Sequence, residues 1–105
     1  MSIIKYCFDL DNTLCVTHGS DYENSIPIQS RIDYVNALYD AGNLIYIDSA
    51  RGQNSGIDQR ILTLNQLQKW NVKYHILRVG VKFSADIFVD DKGISDAEFF
   101  DRDQI

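Results

Sequence analysis

The sequence predicts an α/β fold: a small, mostly parallel sheet with helices on both faces. Three observations predict it. Short apolar, β-prone runs at 3–8, 44–47, 72–77 and 86–89 alternate with stretches of helical periodicity, which is the pattern of βαβ units. Crossovers between parallel strands take one hand, so few topologies remain. The chain has 105 residues, 45% of them hydrophobic and 24% charged, which is enough for one globular core and too little for two. Residues 1–105 are therefore read as a single domain.

The first strand, 3–8, runs straight into Asp9-Leu10-Asp11-Asn12-Thr13-Leu14. Ionised carboxylates are costly to bury unless paired or metal-bound, so the chain must open at Asp9 toward solvent or a cation. Taken alone these residue types also suit turns and caps. Residues 15–29 are polar and irregular, hold the only proline, Pro27, and are long for a structureless connection. They are expected to form a flap-like loop beside the acidic motif, with His18, Tyr22 and Glu23 able to touch a substrate.

Ser30 is expected to cap a helix whose Ile32, Val35, Leu38 and Tyr39 share one face, with Gly42 as its stop. A second strand, 44–47, again ends in polar residues, Asp48-Ser49-Ala50-Arg51-Gly52. Ile57, Ile61, Leu64, Leu67 and Trp70 mark the core face of a second helix, with Asp58 in its first turn. The third strand is expected at 72–77, with His75 at its edge. A loop carrying Gly80 and Lys82 leads to a fourth strand, 86–89, which runs into Asp90-Asp91. Ser95 and Glu98 form a capping-box pattern for a helix over 96–100, and the tail 101–105 is expected to fray.

Net charge is −5 and basic residues form no run, which excludes a broad nucleic-acid footprint. An anionic substrate must then be met locally, by a metal or a few placed donors. The start, Met1-Ser2-Ile3-Ile4, has no charged leader, and no apolar run approaches membrane-spanning length. Cys7 and Cys15 are unpatterned and are expected to be free thiols in a reducing cytoplasm.

Three strand ends thus deliver Asp9 with Asp11, Ser49 with Arg51, and Asp90 with Asp91, and Lys82 precedes the last. Ligands in open sheets of this class sit outside the carboxyl ends of the strands. Carboxylates meeting there would repel, and a hard divalent ion bound by oxygen, Mg²⁺ first, relieves this.

This set of residues resembles the haloacid dehalogenase superfamily of phosphohydrolases. Asp9-Leu10-Asp11-Asn12-Thr13 matches its first motif, Ser49 its second, Lys82 its third and Asp90-Asp91 its fourth. The resemblance implies a three-layer Rossmann-like core and a phosphatase that works through an aspartyl-phosphate. In that scheme Asp9 is the nucleophile and Asp11 the general acid and then base. Asp9, Asp11 (through its carbonyl), Asp90 and Asp91 hold Mg²⁺. Ser49 and the Ala50 N–H bind the phosphoryl group, Lys82 neutralises it, and Asn12, Thr13 and Arg51 complete the substrate side.

The intervals between motifs leave no room for a cap domain. The segments Asp21-Tyr22-Glu23-Asn24, Ser49-Ala50-Arg51-Gly52, Gly56-Ile57-Asp58 and Ala85-Asp86 resemble small stand-alone phosphatases associated with bacterial capsule or surface-polysaccharide genes. That implies a small phosphorylated sugar or polyol as substrate, with no nucleic-acid or membrane partner. Arg51 is expected to orient the leaving group; its structural alternative is a brace onto Asp48 or Asp58. Asp48 departs from the family pattern, which has an apolar residue there. The competing readings are a polynucleotide or protein phosphatase and a catalytically silent binding domain.

Overall fold

A computed structural model describes residues 2–101. In chain order the elements are β1 (Lys5–Phe8), β2 (Cys15–Val16), a 3₁₀ turn (Tyr22–Asn24), β3 (Ile26–Pro27), α1 (Gln29–Asp40), β4 (Leu44–Ser49), α2 (Arg60–Lys69), β5 (Ile76–Val79) and α3 (Asp96–Asp101). β1, β4 and β5 form a three-stranded parallel sheet in that order, and β2 pairs antiparallel with β3. The fold is a small Rossmann-like α/β domain without a cap: only the β2–β3 flap and α1 separate β1 from β4, and α2 alone separates β4 from β5.

Register sets the core. Phe8, Ile47 and Leu77 stand abreast across the sheet, with Tyr6 beside Ile45 one step earlier. This face meets Ile32 and Val35 of α1, Leu67 of α2, and Phe99 and Phe100 of α3 in one buried cluster. Phe8 packs edge-on to Phe99 at 5.5 Å and stacks on Phe100 at 6.0 Å, so α3 is held against the first strand. Arg31 pins the same corner, pairing with Asp96 at 2.7 Å and lying over the Phe100 ring.

Side chains alternate across a strand, so the other face carries Lys5, Cys7, Ile76 and Arg78, all exposed, with Tyr46 and Asp48 half-buried. Among the described residues helices cover one face only, where the sequence led us to expect both. Strand order advances one way from β1 to β5, and two crossovers of the same hand then land on the same face. Cover for the second face would come with a strand beyond β1, and the expected fourth strand at 86–89 does not form. Ile87, Phe88 and Val89 are exposed there; Phe88 lies against the Lys82 ammonium at 4.8 Å, and Asp90 folds onto the backbone of Lys92 and Gly93. The short apolar run of that segment is not enough to make a strand where no ladder partner is engaged.

The other differences are local. α1 starts at Gln29 with Ile28 as its cap, not Ser30, because Pro27 already ends β3 and Ile28 accepts the first helical bonds from Arg31 and Ile32. It ends in a Schellman turn at Gly42 (φ +97°), where Asn43 N–H bonds to Leu38 O and Gly42 N–H to Tyr39 O. α2 ends the same way with Asn71 (φ +57°) in the glycine role. That turn, and His75, delay the third strand to Ile76. His75 Nδ1 accepts the Ile45 N–H at 3.0 Å, so its ring replaces one rung of the ladder, and it stacks on Tyr39.

The Ser95 cap forms, its Oγ accepting the Glu98 N–H at 3.3 Å. The tail expected to fray lies, beyond Asp101, outside the described residues. Both cysteines are free, Cys7 exposed and Cys15 buried. No described helix is long and apolar enough to cross a membrane.

Candidate active site

β1 stops at Phe8 because the next residues turn back on themselves. Leu10 O accepts N–H bonds from Thr13, Leu14 and Cys15, and Asn12 takes a left-handed conformation at φ +62°. Asn12 Oδ1 accepts the Thr17 N–H at 3.0 Å, which ties the turn to the base of the flap. The turn leaves Asp9 and Asp11 at the carboxyl end of the sheet. Asp9 accepts the Leu10 N–H at 2.9 Å, and Lys82 Nζ stands 3.4 Å from Asp9 Oδ1. Lys82 arrives there because Gly80, at φ +83°, bends the chain after β5 while its N–H bonds to Ser49 O.

Asp11 is held from another side. Arg51 grips it with both arms of its fork, Nη2 to Oδ1 at 2.8 Å and Nε to Oδ2 at 2.9 Å, and Thr17 Oγ1 donates to Oδ1 at 2.6 Å. The Arg51 side chain is 0% exposed. Nη1 donates to Thr63 Oγ1 at 3.2 Å and Gln66 Oε1 at 2.5 Å, and Nη2 reaches Ser25 Oγ at 3.4 Å. A guanidinium has five N–H donors, and these five contacts use all of them. The Tyr22 ring covers one face at 4.8 Å.

Burying such a cation is costly unless it is paired and fully hydrogen-bonded, and this network meets both conditions. Arg51 therefore does not reach a leaving group, as the sequence suggested. Its partner is Asp11, and neither Asp48 nor Asp58 takes its side chain.

Ser49 is buried and its Oγ accepts the Arg51 N–H at 3.2 Å. Among the described residues its hydroxyl donates to no acceptor, and the Ala50 N–H is also unpaired. Ala50, Asp9 and Asp11 line one cavity of about 670 Å³. Thr13 faces a second cavity, shared with Asp9, Lys82 and Asp90. Asp90 lies outside any strand and its carboxyl is held below the usual range by the N–H groups of Gly93 and then Lys92. Asp91 is exposed and makes no hydrogen bond among the described residues.

Asp48 faces the uncovered side of the sheet, away from Ser49, and pairs with its register neighbour Arg78 at 2.7 Å. Its other oxygen, Oδ1, is buried and has no partner among the described residues.

The expected metal ligands are only partly gathered. Among the described residues no three of His, Cys, Asp and Glu stand close enough to hold an ion. The donor chemistry nevertheless suits a hard cation. Asp9 Oδ2, Asp90 Oδ2 and the Asp11 carbonyl accept no hydrogen bond among the described residues, all are oxygen, and Asp9 and Asp90 line the same cavity.

The sequence reading missed Thr17, Ser25, Thr63 and Gln66. A signal for the last two was present. Residues 63, 66, 67 and 70 follow the i, i+3, i+4, i+7 spacing of a helix face, and all four are buried, whereas the expected face residues Ile57 and Ile61 are exposed. Two polar residues on a buried stripe imply a buried polar partner, which is Arg51.

No protein-family model matches the sequence, and no curated protein matches it. Among solved structures, the crystal structure of a structural-genomics target from Vibrio cholerae superposes with a TM-score of 0.83 at 26% identity. The match covers 94% of this chain and 89% of that one. It supports the fold described above, and its description names no activity.

Proposed function

We propose that this protein is a Mg²⁺-dependent phosphomonoester hydrolase of the haloacid dehalogenase kind, acting on a small phosphorylated metabolite through an aspartyl-phosphate on Asp9. The observation that carries the reading is the set of groups converging at the strand ends. A half-exposed carboxylate with an ammonium 3.4 Å away, a second carboxylate locked in place, and unpaired Ser49 O–H and Ala50 N–H donors all lie at the carboxyl edge of one parallel sheet.

Asp9 attacks phosphorus as the bond from phosphorus to the alcohol oxygen breaks and the alcohol takes a proton from Asp11; water then returns a proton to Asp11 as it attacks phosphorus, the bond from phosphorus to Asp9 breaks, and inorganic phosphate leaves. Ser49 and the Ala50 N–H are free to bind the phosphoryl oxygens, and Lys82 offsets the charge that Asp9 and those oxygens bring together. Arg51 fixes the orientation of Asp11, which lies on the same cavity as Asp9, so a proton can pass between Asp11 and the departing alcohol or the hydrolytic water. Asp9, Asp90, Asp91 and the Asp11 carbonyl would hold the cation, which when bound supplies charge neutralisation for the incoming phosphate. The preformed Asp11–Arg51 lock and the paired Lys82 speak against a silent binding domain, which has no need of either.

The test is phosphate release from p-nitrophenyl phosphate with and without Mg²⁺. Release that stops on EDTA treatment and returns with added Mg²⁺ is expected. Full turnover in metal-free buffer, or none in any buffer, overturns the reading.

A further inference from the structure

The flap carries a pair of hydroxyls whose placement its register fixes. Cys15 pairs with Pro27 and Val16 with Ile26 across β2 and β3, so Thr17 and Ser25 stand opposite one another as the next pair. Side chains alternate along a strand, which puts Thr17 on the side of Cys15; both are buried, and Val16 between them is exposed. Thr17 Oγ1 thereby lies 2.6 Å from Ser25 Oγ and 2.6 Å from Asp11 Oδ1.

Counting protons fixes the direction of each bond. Both Asp11 oxygens accept from Arg51, so the carboxylate has no proton to give and Thr17 donates to it. A hydroxyl carries one proton, so Ser25 must donate to Thr17, and Ser25 in turn accepts from Arg51 Nη2 at 3.4 Å. The other proton of Nη2 goes to Asp11 Oδ1 at 2.8 Å. Arg51, Ser25, Thr17 and Asp11 thus close a ring in which no proton is spare and each bond orients the next.

The ring loads the two Asp11 oxygens unequally. Oδ1 accepts from Arg51 Nη2 and Thr17, with Arg51 Nε at 3.2 Å and the Cys15 thiol at 3.6 Å as longer contacts. Oδ2 accepts only Arg51 Nε, at 2.9 Å, among the described residues. A carboxylate oxygen has two lone pairs, so Oδ1 is filled and Oδ2 keeps one free. A proton added at Oδ2 leaves every bond of the ring in place, whereas a proton at Oδ1 displaces Thr17 or Arg51 and leaves a buried donor unmet.

Building on the hydrolase reading above, we propose that Thr17, aligned by Ser25, is a positioning residue that makes Oδ2 the proton-carrying atom of Asp11. The proton on Oδ2 passes to the alcohol oxygen as its bond to phosphorus breaks. A proton of the attacking water then returns to Oδ2 as the bond from phosphorus to Asp9 breaks. Thr17 and Ser25 neither gain nor lose a proton; they act through Asp11 alone.

The experiment uses two esters of similar size: benzyl phosphate, whose alkoxide needs a proton to leave, and p-nitrophenyl phosphate, whose phenolate does not. Thr17→Val keeps the shape and removes the hydroxyl, and Thr17→Ser keeps the hydroxyl. In the valine variant we expect kcat/KM to fall by about 10-fold or more for benzyl phosphate and by less than about 3-fold for p-nitrophenyl phosphate. With p-nitrophenyl phosphate, kcat and KM should fall together and a burst of p-nitrophenolate should precede the steady state, because the return of a proton from water is the step slowed. The serine variant should restore both behaviours. Ser25→Ala leaves the Thr17 hydroxyl present but unaligned, so it should give the same split at smaller size, and it carries the test if the valine variant does not fold. Equal losses on the two esters, or a loss that serine does not restore, overturn the proposal and leave the hydrolase reading standing. No phosphate release from either ester by the wild type overturns the hydrolase reading itself.

Discussion

Arg51→Ala removes five donors at once from a site that water barely enters. The guanidinium is fully buried and its main partner, the Asp11 side chain, keeps 22% exposure. Breaking a buried pair by deleting one partner costs about 3–5 kcal/mol, and the residual exposure of Asp11 places this case near the lower end, about 3 kcal/mol. In a domain of this size that lowers Tm by roughly 12 °C or more, at about 4 °C or more per kcal/mol. Arg51→Lys keeps the charge but replaces a planar fork with one ammonium, so about half the loss is expected. Thermal and urea melts followed by circular dichroism give both numbers. Because Arg51 orients Asp11, whose proton a departing alkoxide needs and p-nitrophenolate does not, kcat/KM should fall further for an alkyl phosphate metabolite than for p-nitrophenyl phosphate. A destabilisation below about 1 kcal/mol, or a loss confined to p-nitrophenyl phosphate, refutes the positioning role.

Two further outcomes follow from the ionisable groups. In the native protein a thiol reagent should modify Cys7 alone, and slowly, since partial burial pushes its pKa up; Cys15, buried beside Asp11, should react only in denaturant, and two fast thiols in the folded state contradict this. Asp90, with its pKa depressed by the Gly93 and Lys92 N–H groups, supports its turn above the ordinary aspartate range and loses that support as pH falls through the lowered value. NMR titration in EDTA should therefore find the Asp90 carboxyl, and the Gly93 amide with it, shifting at a lower pH than a free aspartate; a midpoint at or above the free value contradicts the turn.

Much of the fold was legible because carboxylates punctuate it. A buried parallel strand that ends in Asp9, or in Asp48-Ser49, announces its solvent end, and the alternation of such runs with helical periodicity gives the sheet. The boundaries that moved did so for side-chain reasons that a pattern does not carry: His75 standing in for a backbone acceptor, Asn71 taking a left-handed turn, and Ile28 capping α1 through its carbonyl. The strand expected at 86–89 had the right pattern, but a strand also needs an engaged partner, and pairing is a tertiary event.

At the candidate site, the placing of Asp9, Asp11 and Ser49 at the carboxyl ends of strands was legible from the apolar runs before them, whereas Lys82, on the loop after β5, was singled out only by the family resemblance. The role of Arg51 was not legible, because its partners come from positions 11, 17, 25, 63 and 66 and meet only in three dimensions. The buried Thr63 and Gln66 on α2 were the one local clue.

The central claim is that Asp9 carries the phosphoryl group. It is tested most directly by quenching the enzyme with borohydride during Mg²⁺-supported turnover of p-nitrophenyl phosphate, which reduces an acyl phosphate to an alcohol, and mapping the product by peptide mass spectrometry. The account predicts homoserine at position 9 in the wild type and none in Asp9→Asn, which should fold normally but release no phosphate. Trapping at another residue, or unmodified Asp9 alongside rapid phosphate release, would contradict it.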